Sequence, residues 1–126
     1  MGIWNTPDRN NEYTYSYDKY YKFGGKGDLY LDFIDQELKP IIEKDWLINR
    51  TAGAYGIGGS SLGGLISCYG LYTRPRSYNK AICMSSSFWW NSQDFYNKVL
   101  STQELIPGAQ FYVDSGDSGP SQDGMN

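Results

Sequence analysis

The stretch Ile57-Gly-Gly-Ser-Ser-Leu-Gly-Gly64 decides how the rest of the sequence is interpreted. It contains the motif Gly-x-Ser-x-Gly at Gly59, Ser61 and Gly63, between a short strand-like segment and a segment whose apolar residues recur with helical spacing. In that context the motif predicts a tight strand-to-helix turn that strains the backbone of Ser61 and lifts its hydroxyl above a sheet. Gly59 and Gly63 supply the small residues that such a turn needs. The turn also aims the amide of Leu62 at a developing oxyanion.

Two nucleotide-binding motifs fit the same stretch less well. A dinucleotide-binding fingerprint could begin at Gly56 and Gly58, but its third glycine position is Ser61, and no acidic residue follows about 20 residues later. A phosphate-binding Walker A loop fails because no Gly-Lys-Ser/Thr closes the segment. A flexible Gly/Ser-rich turn is the alternative that the residues alone leave open.

Apolar residues at spacings of three and four predict helices on both sides of the motif. The first is expected over residues 28–44, with Asp28 as its N-cap and a bend near residues 37–40, because Pro40 lacks an N–H. The second follows the motif and ends at Arg74-Pro75. A third helix is expected over residues 94–100.

Short apolar segments predict the strands of a sheet. They cover residues 50–57, 80–84 and 110–114. The tyrosine-rich residues 13–28 favour a loop held by aromatic rings, with a strand as the alternative. Because helices and strands alternate, the sequence predicts an α/β fold with a parallel sheet flanked by helices.

The composition excludes several classes of function. The 126 residues carry 11 basic and 14 acidic side chains, a net charge of −3, which argues against binding to a nucleic-acid backbone. No apolar run approaches the ~20 residues of a membrane span. The opening residues show no signal peptide, so the localisation is left open.

Metal and thiol chemistry are also not expected. The sequence contains no His, which removes the usual zinc sites, and Asp114, Asp117 and Asp123 lack the alternating spacing of a calcium loop. Two cysteines do not make a disulfide framework, so Cys68 and Cys83 are expected to be small, buried hydrophobic residues. We therefore predict neither a metal nor a cofactor.

Four segments together resemble a known family. They are residues 57–64, Glu37-Leu-Lys-Pro-Ile41, Ser85-Ser-Ser-Phe-Trp-Trp90 and Gly2-Ile-Trp-Asn-Thr6. Taken in their order along the chain, these segments resemble, over nearly its whole length, the putative-esterase family of α/β-hydrolases. That family includes esterase D-like, feruloyl-esterase-like and enterobactin-esterase-like enzymes and the mycolyltransferases. The resemblance implies part of an α/β-hydrolase fold, a three-layer sandwich.

The resemblance also implies a Ser–His–acid triad. The nucleophile maps onto Ser61, and the oxyanion donor maps onto the backbone of Leu62. The acid is expected in the loop after the last predicted strand, where we favour Asp123 and keep Asp117 as the alternative.

The family's catalytic His follows the acid, and the sequence contains none. The strand and loop that supply a second oxyanion donor are missing as well. We therefore expect residues 1–126 to be the central part of one catalytic domain, with little hydrolysis by the isolated chain, because a serine without a base is a poor nucleophile.

Substrate contacts are expected at the carboxyl ends of the strands, where ligands of parallel sheets gather. The candidates are Trp4, Ser60, Trp89 and Trp90, with one of the two adjacent tryptophans buried and the other lining the cleft. Aromatic rings there suit an acyl or sugar group.

The sequence thus predicts a serine carboxylic-ester hydrolase acting on a small-molecule or carbohydrate ester through an acyl-enzyme. Feruloyl or acetyl groups on polysaccharide, a thioester and a siderophore ester fit equally well. The alternative is a non-catalytic carbohydrate-binding or interaction module that uses the Tyr- and Trp-rich surface. The oligomeric state is left open.

Overall fold

Helices and strands alternate along the chain in a computed structural model that describes residues 1–51 and 53–116. The helices are α1 (Arg9–Glu12), α2 (Gly27–Phe33), α3 (Lys39–Asp45), α4 (Leu62–Thr73) and the short α5 (Trp90–Asp94). The strands are β1 (Tyr17–Asp18), β2 (Phe23–Gly24), β3 (Gly56–Ser60), β4 (Lys80–Met84) and β5 (Gln110–Val113). Two π-helical segments, Ile34–Leu38 and Phe95–Leu100, follow α2 and α5.

The main sheet is parallel and has the order β3-β4-β5. Its register pairs Gly59 with Cys83 and Cys83 with Val113, so the carboxyl ends of the three strands lie at one edge. The predicted α/β fold with helices flanking a parallel sheet is confirmed. The strand predicted over residues 50–57 instead occupies Gly56–Ser60, so the observed strand shares only residues 56 and 57 with the predicted segment.

The first long helix lies almost where it was predicted. It runs from α2 through the π-helical segment into α3, so the expected bend is a π-helical turn. Pro40 stands in the first turn of α3, where its missing N–H costs little. Lys26, not Asp28, is the N-cap, and the prediction for Asp28 was wrong. Its carboxylate instead contacts Arg74 at 3.3 Å and accepts a hydrogen bond from the hydroxyl of Tyr69.

The tyrosine-rich segment is mostly irregular, as predicted. It contains a short antiparallel ladder between β1 and β2, which pairs Tyr17 with Gly24. The four residues between these strands, 19–22, form an exposed loop.

Helix α4 packs on β3 and β4 and forms the centre of the core with fully buried Leu65. Along β4, alternate residues are buried towards the helix, which places Cys83 beside α4. Cys83 and Cys68 are both buried, as predicted, but they form a disulfide with their Cα atoms 5.9 Å apart. The expectation of two unpaired hydrophobic residues was therefore wrong.

None of the described helices is long and apolar enough to cross a membrane.

Candidate active site

Ser61 occupies the turn between β3 and α4. Its φ of 57° and ψ of −123° form a conformation that residues other than glycine rarely adopt. Its N–H donates to the carbonyl of Met84 at 3.0 Å, and its carbonyl accepts from the amides of Leu65 and Ser87, both at 3.1 Å. Ser61 is exposed. This is the strained, exposed serine that the motif predicts.

The glycines around Ser61 differ in whether a side chain would fit at their positions. A Cβ at Gly59 would lie 2.7 Å from the backbone C and O of Gly63, so only glycine permits this approach of β3 to α4. A Cβ at Gly64 would collide with the hydroxyl of Ser86. At Gly63 an added Cβ would meet nothing within 4 Å. The expectation that Gly63 must lack a side chain was therefore wrong, and Gly64 was missed.

The backbone amide of Leu62 stands beside the serine at the first residue of α4. An amide at this position has no acceptor within the helix, and it lies at the positive end of the helix dipole. The Leu62 side chain is buried, which anchors the first turn. The arrangement therefore suits a hydrogen-bond donor for an oxyanion formed at Ser61.

The loop after β4 brings a second serine to the site. The Oγ atoms of Ser87 and Ser61 lie 3.2 Å apart, and Ser87 is almost fully buried. Ser86 is also buried, and its hydroxyl has no hydrogen-bond partner among the described residues. Sequence reasoning missed Ser87, although the position of this loop after the neighbouring strand was a usable signal.

The four predicted substrate-contact residues fall into two groups. Trp4, 92% exposed, and Ser60 both line a cleft of about 910 Å³ beside β3. Trp89 is 39% exposed, whereas Trp90 is 1% exposed and donates its indole N–H to the carbonyl of Ser16. One tryptophan is thus buried and one is accessible, so Trp90 packs in the core and only Trp89 is available to a ligand.

Asp117 and Asp123, the two candidate triad acids, lie outside the described residues. Among the described residues, Asp114 follows β5 at the same edge of the sheet as Ser61. Its carboxylate accepts hydrogen bonds from the amide of Ser85 at 2.6 Å and the hydroxyl of Tyr112 at 2.9 Å. The bond to Asp114 raises the pKa of Tyr112. Asp114 therefore fixes the start of the serine loop. Over residues 1–51 and 53–116, acidic and sulfur side chains form no group suited to a metal ion.

A parallel sheet whose strand runs into a strained, exposed serine at the start of a helix defines the α/β-hydrolase class. Comparison with known proteins places the chain within that class. The chain belongs to the Putative esterase family, whose model matches residues 5–124.

Individual relatives and a solved structure each match part of the chain. The chain is 36% identical over 91 residues to uncharacterized protein YbbA of Bacillus subtilis, covering 72% of this chain and 35% of the relative. It is 35% identical over 68 residues to the siderophore triacetylfusarinine C esterase of Aspergillus fumigatus, covering 54% and 23%. An IroE-like serine hydrolase from Shewanella oneidensis has 28% identity and a TM-score of 0.67, covering 79% of this chain and 34% of that structure. The chain thus spans about a third or less of the length of these relatives.

Proposed function

We propose that the chain carries the nucleophile of a serine carboxylic-ester hydrolase. The observation that carries the proposal is the strained, exposed backbone of Ser61 beside the first amide of α4. Family membership and the serine hydrolase among the similar structures support the same reaction class.

In the proposed reaction the Oγ of Ser61 attacks the ester carbonyl carbon while its proton passes to a general base. The amide of Leu62 donates to the oxyanion of the tetrahedral intermediate, whose collapse expels the alcohol and leaves an acyl-serine. Water then attacks the acyl-serine and releases the acid and the free hydroxyl. No cofactor is needed for these steps.

The general base cannot be a histidine of these 126 residues, because they contain none. We propose that the chain is the central part of a larger catalytic domain that supplies a histidine, with Asp123 or Asp117 orienting it. The small share of each relative that the chain covers supports this proposal.

For the substrate, we propose a small-molecule ester of the siderophore type rather than an acylated carbohydrate. Support comes from the Aspergillus fumigatus relative, which is named as a siderophore esterase.

The test is labelling of the full-length protein with a fluorophosphonate, followed by mass spectrometry of its peptides. We expect one adduct on the peptide that contains Ser61, and no adduct in Ser61→Ala. The matched control is Ser87→Ala, which removes the hydroxyl 3.2 Å away and leaves Ser61 in place. An adduct on Ser87, or one that persists in Ser61→Ala, overturns the proposal.

A further inference from the structure

The hydroxyl of Ser87 contacts the proposed nucleophile directly. The Oγ atoms of Ser87 and Ser61 lie 3.2 Å apart, within the range of a weak hydrogen bond. The backbone joins the same two residues, because the amide of Ser87 donates to the carbonyl of Ser61 at 3.1 Å. Ser87 is thus attached to Ser61 through both its main chain and its side chain.

Burial decides which of the two hydroxyls donates. Ser87 is 3% exposed, so its O–H cannot turn to solvent, and a buried donor without an acceptor is costly. Among the described residues, the Oγ of Ser61 is the one hydrogen-bond partner of this hydroxyl. Ser61 is exposed, so its own proton can pass to water or to a base. Ser87 is therefore the donor, and the Oγ of Ser61 is the acceptor.

The loop that carries Ser87 is held at both ends. Ser85 has a φ of 39°, a left-handed conformation that residues other than glycine rarely adopt. The carboxylate of Asp114 accepts a hydrogen bond from the amide of Ser85 at 2.6 Å, which fixes this turn. On the other side, the carbonyl of Ser87 accepts from the amide of buried Trp90 at 3.0 Å. The sheet edge and the core therefore hold Ser87 against Ser61.

The preceding residue, Ser86, provides a comparison within the same loop. Ser86 is fully buried, and its hydroxyl has no hydrogen-bond partner among the described residues. It lies against Gly64, where an added Cβ would collide with the Oγ of Ser86. The two neighbouring serines thus form a matched pair, in which both are buried and Ser87 alone of the two contacts Ser61.

We propose that Ser87 is a positioning residue that donates a hydrogen bond to the nucleophilic oxygen of Ser61. Before the reaction, this bond orients the Oγ of Ser61 and leaves its proton free for the general base. As that proton leaves, negative charge develops on the Oγ, and the bond from Ser87 strengthens because it becomes charge-assisted. Ser87 keeps its own proton throughout, and the base takes only the proton of Ser61. The proposal rests on the proposed ester hydrolysis, since it adds a residue to the same site.

The test is the rate at which a fluorophosphonate labels Ser61 in the full-length protein, measured over a range of probe concentrations. Ser87→Ala is expected to keep the adduct on Ser61 and to lower the maximal labelling rate by about tenfold or more, the effect of one hydrogen bond to a charged group. The probe concentration that gives half the maximal rate is expected to stay the same, because the bond acts on the nucleophile. The matched control is Ser86→Ala, which removes a buried hydroxyl without a partner and is expected to label at the wild-type rate.

Two further substitutions separate hydrogen bonding from packing. Ser87→Thr keeps a hydroxyl on the same carbon and is expected to restore most of the labelling rate. Ser87→Cys fills the space of the serine with a weaker donor and is expected to label as slowly as Ser87→Ala. Urea unfolding of each variant shows whether it is folded, and the alanine and cysteine variants carry the test when the extra methyl group of threonine does not fit.

Labelling of Ser87→Ala at the wild-type rate overturns the role of Ser87, and so does an equal slowing in Ser86→Ala. A folded Ser87→Thr that is as slow as Ser87→Ala, or a Ser87→Cys that labels at the wild-type rate, also overturns it, because packing then accounts for the effect. All these results leave the proposed hydrolase intact, since Ser61 is still labelled in the wild type. A wild-type protein that forms no adduct at Ser61 contradicts the hydrolase itself, and the role of Ser87 with it.

Discussion

At the residue scale, the site depends on one strained serine that its neighbours hold in place. The positive φ of Ser61 costs about 1–3 kcal/mol and persists because β4 and α4 bond to its backbone on both sides. Gly59 is the partner that makes this possible, since its missing Cβ lets β3 touch the first turn of α4. Strain and exposure thus coincide at the residue proposed to react.

We predict opposite effects of adding one methyl group at Gly59 and at Gly63. Gly59→Ala places its Cβ 2.7 Å from backbone atoms, which cannot move aside as a side chain can, and is expected to destabilise the fold by about 1–3 kcal/mol. Gly63→Ala meets open space in a helix, where alanine is favoured over glycine by up to about 1 kcal/mol. Urea unfolding of the two variants measures both effects.

In the same variants, fluorophosphonate labelling of Ser61 is expected to slow at least tenfold for Gly59→Ala and to change less for Gly63→Ala. Equal stability of the two variants would contradict the close approach of β3 to α4.

The sequence predicts the position and exposure of Ser61 because the requirement for glycine is local. It does not predict Ser87, because three adjacent serines follow β4 and only the path of the loop decides which one reaches Ser61. Similarly, the adjacent residues Trp89 and Trp90 predict one buried ring. Which ring is buried depends on how the loop between β1 and β2 packs against them.

At the element scale, the disulfide joins the two elements that position the nucleophile. Cys68 lies in α4, which begins next to Ser61, and Cys83 lies in β4, whose end supplies the acceptor for the amide of Ser61. A covalent link between α4 and β4 therefore limits how far the strained turn can relax.

We predict that reduction of the disulfide between Cys68 and Cys83 lowers the stability of the protein. Closing a loop of 15 residues restricts the unfolded chain and is worth about 3 kcal/mol, so reductant is expected to lower the free energy of unfolding by about that amount. The measurement is urea unfolding with and without dithiothreitol. The control, Cys68→Ala/Cys83→Ala, is expected to be insensitive to reductant. Finding two reactive thiols in the denatured, unreduced protein would contradict the disulfide.

Sequence patterns predict the helices and strands better than they predict the disulfide or the turn at residues 91–93. β4 lies where it was predicted because its apolar run is short and bounded by polar residues. The disulfide escapes prediction because two isolated cysteines carry no distance information until the register of β4 against α4 is known. The left-handed turn at residues 91–93 also escapes prediction, because Asn91 is held by hydrogen bonds that it donates to Asp18 and Ser16, which are distant in sequence.

At the scale of the whole molecule, the described helices leave one face of the sheet open. The side chains of Ile82 and Met84 are exposed, whereas Ala81 and Cys83, which alternate with them along β4, are buried. Tyr112, the partner of Ile82 on β5, is exposed as well. Apolar residues at the centre of a parallel sheet are usually covered on both faces. The open face, together with the small share of each relative's length that the chain covers, supports the proposal that these residues are part of a larger domain.

The tyrosine content predicts how the whole molecule responds to alkaline pH. Burial, followed by the nearby carboxylate of Asp28, raises the pKa of Tyr69 from 10.0 to about 12. Burial also raises the pKa of Tyr15 and Tyr78, which donate hydrogen bonds to Asp94 and Asp35. These tyrosines therefore stay protonated in the folded protein at a pH where the unfolded chain loses its phenolic protons.

Because the folded pKa is raised, the stability that each buried tyrosine contributes is complete below pH 10 and is lost as the pH rises through the folded value. We predict that the free energy of unfolding falls between pH 10 and 12, and that Tyr69→Phe reduces this fall by on the order of 1 kcal/mol, allowing for partial exposure. Urea unfolding at several pH values measures the slope. The matched control is Tyr17→Phe, which removes an exposed hydroxyl and is expected to keep the wild-type slope. A slope that is equal in all three proteins would show that Tyr69 ionises as readily when folded as when unfolded, contrary to its packing against α2 and Asp28.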